Sequence, residues 1–339
     1  MRSARIVYHA TGLGLINDAM LLAAALRRLG IDVMETPRRG CRVCRVLDRV
    51  TDSVRRGPVG GLFRRARGTP RRMAAEVVDV NFFLERAFPA FVPFARRNVL
   101  IPNPEWFEKR WIWHLGLVDA VFCKSNHAVG LFRQHTPAVE RIGFTSRDRS
   151  GSTVRPCHPA DARWLHVASA GLNKGTAAVL QAWQAHPHWP GITVLQSRRP
   201  ALGRSGSNVN YRAERVDDEQ LVHLMSGSSV HLCPSEAEGF GHSIVEAMSC
   251  AALVLTTDAP PMNELVQEDR GVLIPAAEAV PQRCGEHFRV SATALAASVE
   301  RVLGMNNSAI EHRRAAARLW YEDNNRQFEK RLAVALRNL

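Results

Sequence analysis

The residues best suited to chemistry fall in one stretch, Pro234-Ser-Glu-Ala-Glu238-Gly-Phe-Gly241-His-Ser-Ile-Val-Glu246-Ala-Met. Gly239 and Gly241 carry no Cβ and let the backbone come close to a ligand. A helix starts just beyond them, so the amides near His242 and Ser243 present donors to an anion. Such a loop suits phosphate. Glu246 lies one turn into that helix, where it points back and accepts bonds from sugar hydroxyls, while Glu238 precedes the glycine turn on the strand side. Two carboxylates eight residues apart can therefore grip two ends of one nucleotide sugar. The competing reading is a surface loop and an amphipathic helix with acids there by chance.

The elements that must position these residues alternate, short β-like runs with helix-like ones, as in α/β units stacked on a parallel sheet. Strands are expected at 5–9, 31–35, 77–83, 98–101, 120–123 and 139–144, with helices at 17–29 and 126–134. A polar, punctuated stretch from Thr145 to Ala162 reads as an interdomain linker. A second set follows, with strands at 164–168, 192–196, 230–233, 253–256 and 272–274 and helices at 175–185, 218–226, 243–250 and 292–303. A helical tail spans 309–336. The division expected is 1–150, 151–315 and a final helix, 316–339. Two Rossmann-like domains with a cleft between them is the simplest architecture, because open α/β sheets bind ligands beyond the carboxyl ends of their strands.

Glu238-x7-Glu246 with Gly-Phe-Gly inside resembles the signature of retaining GT-B glycosyltransferases, in particular glycosyltransferase family 4, also called group 1. Gly171-Leu-Asn-Lys174-Gly175-Thr176 resembles the family's lysine-glycine loop, and Thr256-Thr-Asp-Ala-Pro-Pro-Met-Asn-Glu264-Leu the segment that closes around the nucleotide. The resemblance implies a GT-B fold and a sugar moved, with retention, from a nucleoside diphosphate donor to an acceptor hydroxyl of a glycan or a lipid-linked carrier. Lys174 would neutralise the diphosphate as a point charge, Glu246 would bind the ribose, and Glu238 would be the catalytic carboxylate beside the anomeric carbon. Phe240 and Gly241 would add backbone contacts.

The chain also departs from the family. Ser169 stands where many members have an arginine five positions before the lysine, so one diphosphate contact loses its charge. His242 stands where leucine is common, and it either touches the donor or caps the helix. Asp258-Ala-Pro-Pro replaces a glycine-richer stretch and leaves the nucleotide preference open. Lys174 itself reads as a phosphate ligand or as a solvated loop lysine.

In the first domain Thr11-Gly12-Leu-Gly14 resembles the family's first glycine loop, with Asn17 where a dinucleotide fingerprint would need a third glycine. Asn103 and Glu105, in Ile101-Pro-Asn-Pro-Glu-Trp106, follow a strand and read either as turn chemistry or as acceptor or donor contacts. No Asp-x-Asp occurs, so neither metal nor cofactor is expected, and Lys174 with the helix amides would do the electrostatic work. Two rivals stay open: a non-catalytic nucleotide-sugar or polyanion-binding protein, and a GT-B nucleotide-sugar epimerase.

The 339 residues are 46% hydrophobic and 23% charged, which excludes a disordered chain and favours two domains. The longest apolar run, Ala19 to Leu26, is far short of a membrane span, so the expectation is a cytoplasmic protein, at most peripheral at the inner face of the membrane. The seven cysteines show one close pair, Cys41 and Cys44, read as reduced thiols. Of the net charge of +13, the stretch from Arg38 to Arg72 holds +10. Val43, Val46, Leu47, Val50 and Val54 lie at helical spacing within it, so it is either a core-facing helix with a solvated basic face or a surface for anionic lipid or an acidic substrate. Nucleic acid is not expected, because no binding motif and few aromatics accompany the charge. The membrane reading requires the protein to sediment with vesicles containing anionic lipid at low salt and not with neutral ones; equal partitioning overturns it.

Overall fold

The structure, a computed structural model, describes residues 1–10, 12–38, 77–151, 157–169, 171, 173–197 and 206–339. The arginine-rich stretch beyond Arg38, with Cys41, Cys44 and the helix expected over Val43 to Val54, lies outside the described residues. The chain divides into two compact units, Met1–Gly143 with Arg283–Gly285 and Phe328–Leu339, and Phe144–Gln282 with Glu286–Gln327.

The first unit contains β1 (Ser3–His9), α1 (Leu13–Arg28), β2 (Asp32–Arg38), β3 (Val78–Leu84), β4 (Ala95–Ile101), β5 (Ala120–Cys123), α2 (Asn126–Arg133) and β6 (Val139–Arg141). Its six strands run parallel in the order β2-β1-β3-β4-β5-β6. Parallel strands need crossovers that cover both faces, which is why Ile6, Val7, Val80, Phe82, Phe83 and Val99 are fully buried. Phe107 packs edge-on to Trp111 and Phe132, closing the core beneath α2.

The second unit follows with β7 (Trp164–Ser169), α3 (Thr176–Ala185), β8 (Ile192–Gln196), β9 (Val209–Arg212), α4 (Asp218–Ser226), β10 (Val230–Cys233), α5 (His242–Ser249), β11 (Leu253–Asp258), α6 (Met262–Leu265) and β12 (Val272–Pro275). A hairpin of β13 (Ala279–Gln282) and β14 (Gly285–Phe288), then α7 (Ala292–Leu303) and α8 (Asn307–Arg337), complete the chain. The second sheet is ordered β12-β11-β10-β7-β8-β9, so the chain leaves β7 toward one edge and returns to lay β10 on its other side. Trp164, Trp183 and Trp189 stack edge to face behind it, with ring centroids 5.5 and 4.9 Å apart.

Two features differ from the sequence reading. Thr145, Ser146 and Arg149, read as part of a linker, are buried in the second unit. Their polarity is satisfied inside: Tyr321 donates to the Ser146 carbonyl at 3.1 Å, Asn324 to the Phe144 carbonyl at 2.8 Å, and the Arg149 amide to Ser249 Oγ at 2.8 Å. The edge strand β9 alternates Val209 and Tyr211 with Asn210 and Arg212 over only four residues, and β13 is exposed or half-buried along its length, so neither stood out in the sequence.

Helix starts separate into two kinds. Ser125, Asp217 and Ser291 cap α2, α4 and α7 through their side chains, and Asp217 with Gln220 forms a reciprocal box. By contrast α3 and α5 start on left-handed glycines, Gly175 at φ +67° and Gly241 at φ +109°, with no side-chain cap among the described residues. A Cβ on Gly175 would sit 2.2 Å from the Pro234 carbonyl oxygen, which has no room to move. Gly175→Ala should lower the unfolding free energy by about 1–3 kcal/mol from the strained φ, with the clash adding to it, read as a lower urea midpoint at unchanged m-value.

Candidate functional site

In the second unit β7 and β10 are hydrogen-bonded neighbours at the point where the strand order reverses. Connections on the two sides of such a point leave toward opposite faces, and a crevice opens at the carboxyl ends. Lys174 follows β7 and Glu238 follows β10, and Lys174 Nζ donates to Glu238 Oε1 there. Their side chains keep 22% and 11% of their surface, so the pair is reachable from solvent. The two loops are also joined by the Glu236 amide, which donates to the Asn173 carbonyl at 2.9 Å.

Behind the pair lies a buried polar network. His166 Nδ1 stands 2.7 Å from the Leu232 carbonyl, and its Nε2 stands 2.9 Å from Thr176 Oγ1. A carbonyl only accepts, so Nδ1 carries the proton and Nε2 takes the threonine hydroxyl's. Burial pulls the imidazole down to about 4, which keeps it neutral. Thr256 and Thr257 of β11 donate to the Cys233 and Ser235 carbonyls at 2.8 and 2.6 Å, anchoring the loop that carries Glu238.

Glycine and aromatic positions shape that loop. Gly239 is buried, and Gly241 could not carry a Cβ, which would lie 2.8 Å from Leu265 Cδ1 of α6. Phe240 turns inward, edge-on to Phe144 at 5.7 Å, so its ring serves the core and its backbone faces the loop. His242 is the first residue of α5 and does not cap it; its Nδ1 lies 2.7 Å from Ser146 Oγ. Ser243, half-buried, belongs to the same first turn, whose amides no carbonyl of the helix can reach. Ser169 ends β7 beside a register shift, and its side chain lies outside the described residues.

Glu246 sits one turn into α5 and is 7% exposed. Burial raises its carboxyl above the usual carboxylate range, and the neighbouring Arg149 guanidinium opposes that shift. Arg149 Nε stands 3.5 Å from Glu246 Oε1, and its Nη1 donates to Asp218 Oδ1 at 2.7 Å. Arg149 went unnoticed in the sequence because it stands in a polar run without periodicity. Among the described residues no three His, Cys, Asp or Glu side chains converge to hold a metal ion.

The first-unit candidates fall differently. Gly12 starts α1 and Gly14 lies in its first turn, and a Cβ on either would meet nothing within 4 Å. Asn103 is buried, its Oδ1 accepting from Lys124 Nζ at 2.9 Å and its carbonyl from the Trp106 and Phe107 amides. Glu105 is 8% exposed, and its carbonyl accepts from Arg283 Nη1 at 2.8 Å. Asn103 thus holds its own loop through its side chain and its carbonyl.

Two Rossmann-like units, each on a six-stranded parallel sheet, define a GT-B fold. Residues 208–316 match the family model described as glycosyl transferases group 1. A stretch of 125 residues is 30% identical to a GDP-mannose:cellobiosyl-diphosphopolyprenol alpha-mannosyltransferase of Xanthomonas oryzae pv. oryzae, spanning 32% of this chain and 32% of that protein. Among solved structures, sucrose-phosphate synthase from Thermosynechococcus elongatus shares the fold at a TM-score of 0.67 and 14% identity, covering 100% of this chain and 99% of that one. Anabaena HepE in complex with UDP and glucose superimposes at 0.61 with 14% identity over 98% and 99% of the two chains. WaaG, a glycosyltransferase involved in lipopolysaccharide biosynthesis, does so at 0.61 with 16% identity over 97% and 98%.

Arg149→Met strands a buried carboxylate, a change that costs about 3–5 kcal/mol when a buried pair loses one partner. The loss should depend on pH. Without Arg149 the folded-state pKa of Glu246 rises further above its unfolded value, so the folded chain holds a proton the unfolded chain has released, and stability falls as pH rises above about 4.5. Thermal unfolding at pH 8 and pH 5 should show the larger drop in Tm at pH 8; an equal drop at both would mean Glu246 does not depend on Arg149.

Proposed function

We propose that this chain is a retaining glycosyltransferase that moves a sugar from a nucleoside diphosphate sugar to an acceptor hydroxyl without a metal ion. The observation that carries the reading is the Lys174–Glu238 pair at the reversal of strand order in the second sheet, with Glu246 one turn into the next helix. Both charges are placed for one donor. On binding, the diphosphate takes the ammonium of Lys174, and Glu238 is released to accept a bond from the donor sugar's hydroxyl near the anomeric carbon. Glu246, held by Arg149, accepts from the ribose. As the bond to the leaving phosphate breaks, negative charge builds on the diphosphate, and Lys174 with the amides of α5 stabilises it.

Retention is what the resemblance to group 1 glycosyltransferases over residues 208–316 implies, with the acceptor hydroxyl attacking on the face the diphosphate leaves. The acceptor belongs to the first unit and is a glycan or a lipid-linked carrier, in bacterial surface glycan assembly. The stretch shared with a diphosphopolyprenol mannosyltransferase supports this, as does the basic segment from Arg38 to Arg72, which suits an anionic membrane surface. Among the described residues no helix is long and apolar enough to cross a membrane, consistent with a peripheral enzyme on the cytoplasmic side.

The test is a thermal-shift screen against UDP, GDP, ADP, CMP and their sugars with EDTA present, since a ligand of the folded state must raise Tm. One nucleoside diphosphate should give a shift, about 2.7 kcal/mol at a hundredfold excess over Kd, and Lys174→Ala or Glu246→Gln should weaken its binding tenfold or more. No shift with any of them, or a shift untouched by Lys174→Ala, overturns the reading.

A further inference from the structure

The first sheet has a reversal of its own. Its order runs β2-β1-β3, so the chain goes from β1 out to β2 and returns to lay β3 on the other side of β1. The carboxyl ends of β1 and β3 therefore flank the place where a ligand fits. β1 ends at His9 and β3 at Leu84, so the residue that follows β3 at that place is Glu85.

Glu85 is held there with effort. It adopts φ +70°, and the Arg86 amide donates to the Leu84 carbonyl at 2.9 Å, closing a three-residue turn around it. A side chain on the central residue of such a turn is strained. The Glu85 amide itself donates to the Ile101 carbonyl at 2.9 Å, which ties the turn to β4. Its side chain is half-buried, and its carboxylate makes no hydrogen bond or ion pair among the described residues. Burial pushes the carboxyl up to about 7, against the pull of Arg86, Arg283 and Lys124 and with a smaller push from Asp18.

The neighbours are already engaged. Lys124 bonds Asp18 at 2.5 Å and Asn103 at 2.9 Å, all three buried. Arg86 Nη2 lies 2.7 Å from His9 Nε2, and its guanidinium stacks over Phe88 and Trp111 at 4.9 and 5.2 Å. Arg283 is bonded to the Glu105 carbonyl and lies over Trp106 at 4.4 Å. Three cations near the site disfavour a cationic ligand, and the carboxylate disfavours an anionic one. A neutral hydroxyl, which donates to a carboxylate, fits both conditions.

We propose that Glu85 is an acceptor-binding residue whose carboxylate takes a hydrogen bond from a hydroxyl of the acceptor sugar at the carboxyl ends of β1 and β3. The proposal rests on the glycosyltransferase reading above. It explains why a strained turn holds a carboxylate that no group among the described residues satisfies, and it adds Glu85 to Asn103 and Glu105 as a first-unit candidate for the acceptor. The bond requires the ionised form, so transfer rises with pH through the carboxyl's titration near 7.

The experiment compares wild type, Glu85→Gln and Glu85→Asp, following nucleoside diphosphate release from UDP- and GDP-hexoses with and without a mixture of octyl glucoside, mannoside and galactoside. Glu85→Gln should keep the nucleotide thermal shift and acceptor-independent donor hydrolysis, lose tenfold or more in kcat/KM for octyl glycoside, and lose the rise near pH 7. Glu85→Asp should retain that rise. The glutamine variant should fold well: between pH 4.5 and about 7 the folded wild type holds a proton the unfolded chain has released, so the carboxyl costs stability as pH rises, and its removal should raise Tm at pH 8 more than at pH 5. Transfer and pH profile equal to wild type in Glu85→Gln overturn the proposal and leave the glycosyltransferase reading standing. A wild-type protein that turns over no donor removes that reading and the proposal with it.

Discussion

Lys174 and Glu238 meet across 64 residues of sequence because β7 and β10 are neighbours in a sheet whose strands all point the same way. Parallel pairing puts every carboxyl end on one side, and the reversal of order between β7 and β10 sends their following chains apart. The loops at that end must then be pulled together by something other than the strands. A glycine that lets the Pro234 carbonyl approach, an amide-to-carbonyl bond between the loops and one ion pair do so. A side chain at Gly175 would separate the loops, and the two charges with them.

Electrostatics set which charges are free to change partner. Glu246 is a carboxylate in a poorly solvated place, where ionisation is costly unless a cation compensates. Arg149 does so, and it is itself fixed by Asp218 and by its backbone bond to Ser249. The result is a carboxylate oriented before any ligand arrives, so less ordering remains to be done on binding. Arg149 comes from a polar run whose buried carbonyls and amides bond to Tyr321, Asn324 and Ser249 of the same unit.

The fold was legible because a parallel sheet buried on both faces writes itself as short apolar runs. β8, β10, α4 and α7 lie where periodicity and caps place them. Glu238, Lys174 and Glu246 were visible in the sequence as candidates for a local reason: each stands next to a glycine turn or a helix start. Arg149 and Glu85 were not. Arg149 acts through contacts with residues nearly a hundred positions away, and nothing in a polar run marks which arginine turns inward. Glu85 follows a strand as Asn103 does, and only its left-handed backbone and the absence of a hydrogen bond to its carboxylate among the described residues set it apart from a loop tie such as Asn103. Asn103 and Glu105 follow β4, as the sequence reading placed them, and both are buried.

Each unit places one lysine beside one carboxylate at the carboxyl ends of its sheet, and burial gives the two pairs opposite roles. Lys124 and Asp18 keep 2% and 4% of their side-chain surface, while Lys174 and Glu238 keep 22% and 11%. A ligand cannot exchange into the first pair without uncovering a charge in a dry environment, which costs several kcal/mol, whereas the second pair can trade its internal contact for a phosphate and a hydroxyl at little desolvation cost. The buried pair is therefore a brace that fixes α1 and the Asn103 loop to the end of β5. The exposed pair is the one that a ligand can reach.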